Sequence, residues 1–258
     1  YQWEVPDFQV PAKEDLIIYE LLIRDFTTEG TIKAAMGKLD YLQNLGINAI
    51  ELMPIQEFDG NDSWGYNPNH YFAYDKAYGT QEDYKRFIDE CHKRGIAVFI
   101  DKVFNHATGV NPFAKMYWDG NATAANNPWF NVVAKHPFNV FQDFNHEYEG
   151  TRQFFKRVLA YWIKEYNVDG YRMDLSKGFT QTNSGSDAGK WGKKDISRIN
   201  IIKDYHQAVK EANPNAVFIL EHFADYDEEV ILSTEGMLPW RNMTSNYGQA
   251  TMGYSSNS

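Results

Sequence analysis

The sequence predicts an α/β fold made of repeated βα units around a parallel sheet. Three observations carry this. Short apolar runs of β type alternate with longer stretches of helical period, two long irregular segments follow the third and fourth runs, and ionisable residues gather where the runs end. The runs are residues 16–24, 48–54, 96–104, 170–175, 216–220 and 237–240. Six strands are therefore expected.

Each connection reads as a helix that faces the core. After the first run, Ile32, Ala35, Met36, Leu39 and Leu42 recur at helical spacing, and Gly46 follows as a stop. Thr80 and Asp83 form a capping-box pair ahead of Tyr84, Phe87, Ile88 and Cys91, with a stop at Gly95. Phe154, Phe155, Val158, Leu159, Trp162 and Ile163 precede the fourth strand, and Ile201, Ile202, Tyr205, Ala208 and Val209 precede the fifth. Residues 105–150 break the rhythm, being rich in Asn, Pro and aromatics without a period. Such a length without secondary structure is functional or disordered, and the aromatics favour function. Residues 180–194 form a second long loop after the fourth strand.

Composition narrows the partners. The chain has 258 residues, a formal net charge of −10 and 16% aromatics. An acidic chain lacks the basic footprint that nucleic acid or an anionic membrane requires, whereas a neutral ligand is indifferent to the charge. Flat rings stack on the apolar faces of sugars, although most rings in any chain are core. No apolar run reaches the ~18 residues of a membrane span. Cys91 is the single cysteine, so no intrachain disulfide forms and the compartment (periplasmic, secreted or cytoplasmic) is undetermined. The start, Tyr1-Gln2-Trp3-Glu4, lacks a signal-like pattern, so any export signal is expected upstream or already removed.

The chemistry collects at the strand ends. Asp101-Lys102-Val103-Phe104-Asn105-His106 ends the third strand, Gly170-Tyr171-Arg172-Met173-Asp174 makes the fourth, and Glu221-His222 ends the fifth. A strand buried on both faces should be apolar, so these groups must be paired or working. Lys102 within such a strand must snorkel or find an acid partner. Residues two apart on a strand point the same way, which puts Arg172 and Asp174 on one face. Asp174 and Glu221 at neighbouring strand ends could flank a glycosidic bond, one attacking or activating water and the other protonating the leaving oxygen. The same residues also suit a structural Arg-Asp pair with Glu221 capping the following helix.

These motifs resemble the α-amylase family, glycoside hydrolase family 13. Residues 101–106 are similar to its first motif, D-x-V-x-N-H, residues 170–177 to its second, G-[FY]-R-x-D-x-x-K, and Glu221 to the acid/base ending its fifth strand. Glu51-Leu52-Met53-Pro54-Ile55 and Trp64-Gly65-Tyr66-Asn67-Pro68 are similar to the second-strand region of its debranching, branching and neopullulanase-like members. The resemblance spans roughly residues 16 to 243. It implies a (β/α)8 TIM barrel, truncated here to about six units, with residues 107–150 as an insertion after the third strand.

By resemblance, Asp174 is the nucleophile and Glu221 the general acid/base of a retaining hydrolase acting on α-glucans, its catalysis running through a glycosyl ester. An α-glucan transglycosylase or branching enzyme, or a non-catalytic carbohydrate-binding module, is the alternative. Arg172 would bond Asp174, Asp101 would brace Arg172, His106 would bond the sugar and Tyr66 would stack on it, with Lys177 on the leaving-group side. A cation-paired Asp174 is expected to stay ionised with a lowered pKa, and a less paired Glu221 to keep its proton, the two about 5–5.5 Å apart. No cofactor is expected. Gly178 stands where many α-amylases have a histidine whose backbone helps hold calcium, and Asn105 and Asp143 are the residues that match calcium-associated positions. The family's fourth motif, with its third acid, is not reached by Ser258. Low activity is expected from that, with β edges left open to a second copy or covered by residues 242–258.

Overall fold

The structure, a computed structural model, describes residues 1–254. All six expected strands are present, as β1 (Ile18–Leu21), β2 (Ala49–Leu52), β3 (Ala97–Lys102), β4 (Gly170–Met173), β5 (Val217–Leu220) and β6 (Leu238–Pro239). They pair in chain order, each parallel to the next, in a curled half-barrel. Each strand is shorter than its apolar run.

Helices cover the outer face: α1 (Ile32–Met36), α2 (Leu39–Asn44), α3 (Gln81–Lys93), α4 (Glu149–Tyr166), α5 (Ile196–Ala212) and α6 (Tyr226–Thr234). The single helix expected over 32–42 is broken at Gly37 and Lys38. The capping box at the start of α3 forms as its spacing implies: the Asp83 amide donates to Thr80 Oγ1 at 3.2 Å, and the Thr80 amide donates to Asp83 Oδ2 at 2.9 Å. That satisfies amides left without partners by the helix start.

Strand alternation sorts the core into two. Val98, Ile100, Tyr171 and Met173 point outward to the helices and join the main core. Ala49, Ala97, Phe99, Val217 and Ile219 point inward and form a smaller apolar layer, onto which Phe8, Val10, Leu238 and Trp240 pack. The N-terminal segment is held there by Asp89 of α3, whose carboxylate accepts the Tyr1 hydroxyl at 2.9 Å and the Glu4 and Val5 amides at 3.0 Å. Two residues further along each strand the period of two brings Glu51, Asp101, Arg172 and Glu221 inward above that apolar floor. The sheet therefore has an apolar interior at one end and a charged one at the other.

Lys102 departs from expectation. Its side chain neither snorkels nor meets an acid: it is fully buried, with Nζ 4.0 Å from the Trp162 ring centre and 3.4 Å from Gln56 Oε1. Burial pushes its pKa well down, and the indole face supplies the electrostatic partner a carboxylate would have been.

Residues 107–150 fold without long elements. His106–Ala107 pairs antiparallel with Gln142–Asp143, and Phe113 stacks on Trp129 at 3.9 Å. A last helix, α7 (Thr244–Thr251), has no buried residue, so this part of the tail does not cover an edge of the sheet. Residues 255–258, also assigned to that covering, lie outside the described residues. No helix among the described residues is long and apolar enough to cross a membrane.

Candidate active site

One guanidinium organises the charged end of the sheet. Arg172 Nη1 donates to Asp101 Oδ2 at 2.7 Å and to Asp174 Oδ1 at 2.8 Å, and Nη2 lies 2.9 Å from Glu221 Oε2. Register accounts for this, because Asp101 is the partner of Arg172 across β3 and β4, and Glu221 follows directly on the partner of Met173. The main chain fixes both candidate catalytic residues. The Asp174 amide donates to Lys102 O at 3.0 Å and the Glu221 amide to Met173 O at 3.1 Å. Both side chains stay partly open to solvent, Asp174 at 13% and Glu221 at 27%.

Two expectations fail here, for one reason. Asp174 was expected below its usual pKa, yet it is raised to about 6: burial outweighs the attraction of Arg172, and the neighbouring Glu221 charge adds to burial. Nor is Glu221 sparsely paired. It meets Arg172 and accepts the Leu175 amide at 2.9 Å. Three carboxylates share one cation. Their charge exceeds what Arg172 can neutralise, which leaves the Asp174 carboxyl easier to protonate than usual.

The remaining residues arrive from loops. Tyr66 donates its hydroxyl to Asp101 Oδ2 at 2.7 Å, and Gly65 before it has φ 92, where a Cβ would lie 2.5 Å from Pro54 O. Burial and the Asp101 charge push the Tyr66 phenol up, and burial and the Asp174 charge push Asp101 up to about 7. His106 is buried, its pKa lowered by burial, with Nε2 2.8 Å from Tyr66 O and Nδ1 3.1 Å from Asn105 Nδ2. Both its nitrogens are thus engaged inside the protein. Lys177 donates to Phe223 O at 2.8 Å and lies 4.1 Å from the Trp191 ring centre. Leu175 and Phe223, just beyond Asp174 and Glu221, have φ of 42 and 52, a left-handed conformation that bulky residues adopt only where surroundings impose it.

Asn105 and Asp143 come together, but the group between them is His136 Nε2, 2.9 Å from Asn105 Oδ1 and 3.6 Å from Asp143 Oδ1. Asp143 Oδ2 already accepts from Asn131 Nδ2 at 2.8 Å and the Lys135 amide at 3.3 Å. A hard cation needs about six to eight oxygens, and this donor set faces N–H groups instead. The residues present do not fit calcium.

Sequence reasoning overlooked two neighbours of Arg172. Glu51 is almost fully buried, with Oε1 unpartnered and its pKa pushed up to about 8 by burial and then by Asp101. A lone acid at an inward position of the β2 run was the available signal. Trp240 lies 4.5 Å from the guanidinium, and its sequence offered no such signal.

A family model described as the catalytic domain of alpha amylase matches residues 23–139 and 111–257. A malto-oligosyltrehalose trehalohydrolase of Saccharolobus solfataricus is 37% identical over 177 residues, which are 67% of this chain and 30% of that protein. A chloroplastic isoamylase of Zea mays is 32% identical over 66% of this chain and 25% of its own length. Among solved structures, a Bacillus subtilis type I pullulanase complexed with maltose superposes with a TM-score of 0.69 at 25% identity, over 86% of this chain and 33% of that one. The chain spans under a third of the length of these two curated relatives.

Proposed function

The chain belongs to the alpha-amylase catalytic-domain family, and from that premise we propose that it carries the nucleophile and acid/base of a retaining glycosidase acting on α-glucans. The observation that supports this is the Arg172 guanidinium, which holds Asp174 and Glu221 side by side at the C-terminal ends of adjacent strands, the face on which barrels carry their sites. The starch-related names of the relatives and the maltose of the pullulanase structure agree with an α-glucan.

In this reading Asp174 Oδ attacks the anomeric carbon as Glu221 gives its proton to the departing glycosidic oxygen. Arg172 lowers the cost of a second negative charge beside Glu221. Glu221 then takes a proton from water, which attacks the anomeric carbon and releases Asp174. The sequence requires Asp174 ionised and Glu221 protonated at the outset.

A 5-fluoro-α-glucosyl fluoride tests the assignment by intact-mass and peptide-mass spectrometry. A glycosyl adduct on Asp174 is expected, retained in Glu221→Gln because fluoride leaves without an acid. Binding of maltooligosaccharide with no adduct would reduce the protein to a binding module, and neither would sink the reading. We also propose that the outer sheet edge at β1, where Ile17 and Ile18 are exposed, pairs with a second copy. Light scattering should then give a dimer mass, and a monomer at all concentrations would refute it.

A further inference from the structure

We propose that His136 takes the part of a bridging cation: its Nε2–H fastens residues 107–150 onto β3 and, through Asn105, fixes the faces that His106 and Tyr66 turn to the active site. The proton positions follow from one fixed end. His106 Nε2 faces the Tyr66 carbonyl at 2.8 Å, so it must carry hydrogen, and Nδ1 of the neutral ring is then an acceptor. The atom of Asn105 that meets Nδ1 at 3.1 Å is therefore its NH2, which also points at Asn139 Oδ1 at 3.3 Å. Asn105 Oδ1 is left facing His136 Nε2 at 2.9 Å, and an oxygen there obliges His136 to donate.

The chain of bonds thus runs from His136 through Asn105 and His106 to the Tyr66 main chain, and the Tyr66 hydroxyl donates onward to Asp101 beneath Arg172. Packing leaves His136 no alternative position. Its ring stacks on Trp191 at 5.0 Å and 10°, and a Cβ at Gly178 would collide with Asn105 Oδ1 and lie 2.9 Å from His136 Nε2. Among the described residues, no three His, Cys, Asp or Glu side chains converge to hold a metal ion. An N–H donated to Asn105 Oδ1, with Asp143 Oδ1 3.6 Å away as its charge neighbour, is thus the cross-link, and His136 is a positioning residue. Its effect on sugar binding rests on the glycosidase reading; the fastening itself does not.

Three measurements on the 258-residue chain test this. Melting with EDTA and with millimolar CaCl2 should give the same midpoint; a shift of several degrees in either would overturn the cation-free bridge. Ring-15N spectra should show His106 as the Nε2–H tautomer. In His136→Ala, Asn105 is free to turn over, so the hydrogen bond its NH2 gives to His106 Nδ1 should be lost and the Nδ1 resonance should move, while Nε2 keeps the proton that the Tyr66 carbonyl fixes; His136→Gln, whose amide can still donate to Asn105, should leave the Nδ1 resonance in place. A folded His136→Ala with His106 unchanged, or a His136→Gln as defective as alanine, would refute the positioning role. If His136→Ala does not fold, the wild-type and glutamine arms still decide. Maltooligosaccharide affinity should fall about tenfold in the alanine variant, as for one lost buried hydrogen bond. Absence of binding by the wild-type chain would fault the functional reading alone.

Discussion

Two buried arginines in this molecule meet opposite fates. Arg198 of α5 grips Glu228 with Nε at 2.7 Å and Nη2 at 2.6 Å, and gives its other hydrogens to the carbonyls of Trp191 at 3.2 Å and Lys193 at 3.0 Å. Glu228 also takes the Asp195 amide at 2.8 Å and faces His222 Nε2 at 2.7 Å. Burial would raise its pKa, but the His222 and Arg198 bonds win and hold it below the usual range. Around Arg172 the count does not close. Asp174, Asp101 and Glu51 are all raised, and Arg172 Nε, Asp101 Oδ1 and Glu51 Oε1 have no partner. A closed set of charges stabilises the fold, whereas an open one is left able to exchange protons and bind.

The sharpest way to break the contrast is Asp174→Asn. Adduct formation should fall by more than about a thousandfold, while stability holds or rises by about 1 kcal/mol because a crowded buried charge is gone. An unfolded variant would show that Asp174 belongs with the structural set instead. Next comes Glu228→Ala, which strands Arg198 in the interior. A loss of roughly 3–5 kcal/mol in urea denaturation is expected, and a loss below about 1 kcal/mol would mean the Arg198 cluster is not closed.

Legibility followed the same divide. The six strands could be read because buried parallel strands are apolar runs, and the Arg172, Asp174 and Glu221 set because charges interrupt those runs. The pKa direction of Asp174 could not, since it depends on whether desolvation or Arg172 prevails, and burial is a property of the fold. His136 was invisible for another reason. It lies in a segment with no period, and the Asn105 it bonds is 31 residues away.

The two clusters should also respond to pH with opposite sign, the smallest effect of the three. Glu51, Asp101 and Asp174 have folded pKa values of about 8, 7 and 6, above their unfolded ones. From about pH 4 upward the unfolded chain has shed protons that the folded one keeps, so stability falls as pH rises and the loss is complete near pH 8. Glu228 works the other way: its contribution is present above its unfolded pKa and is lost as pH falls through the folded one. Glu51→Gln should flatten the alkaline fall, leaving the variant roughly 2 kcal/mol more stable than the parent at pH 8. Parallel pH curves for parent and variant would place the titrating proton elsewhere.

Strand order equals chain order, and this has a consequence for biosynthesis. As the polypeptide leaves the ribosome each new strand finds its predecessor already made, so the sheet can grow by accretion without waiting for a distant segment. The segment that contains Tyr1, Glu4 and Val5 is the exception: although synthesised before α3, it must wait for Asp89. Arg172 likewise emerges with Asp101 and Asp174 but without Glu221, some fifty residues before its last partner exists. A nascent chain arrested between residues 174 and 221 would therefore carry the guanidinium with its third acid still unmade.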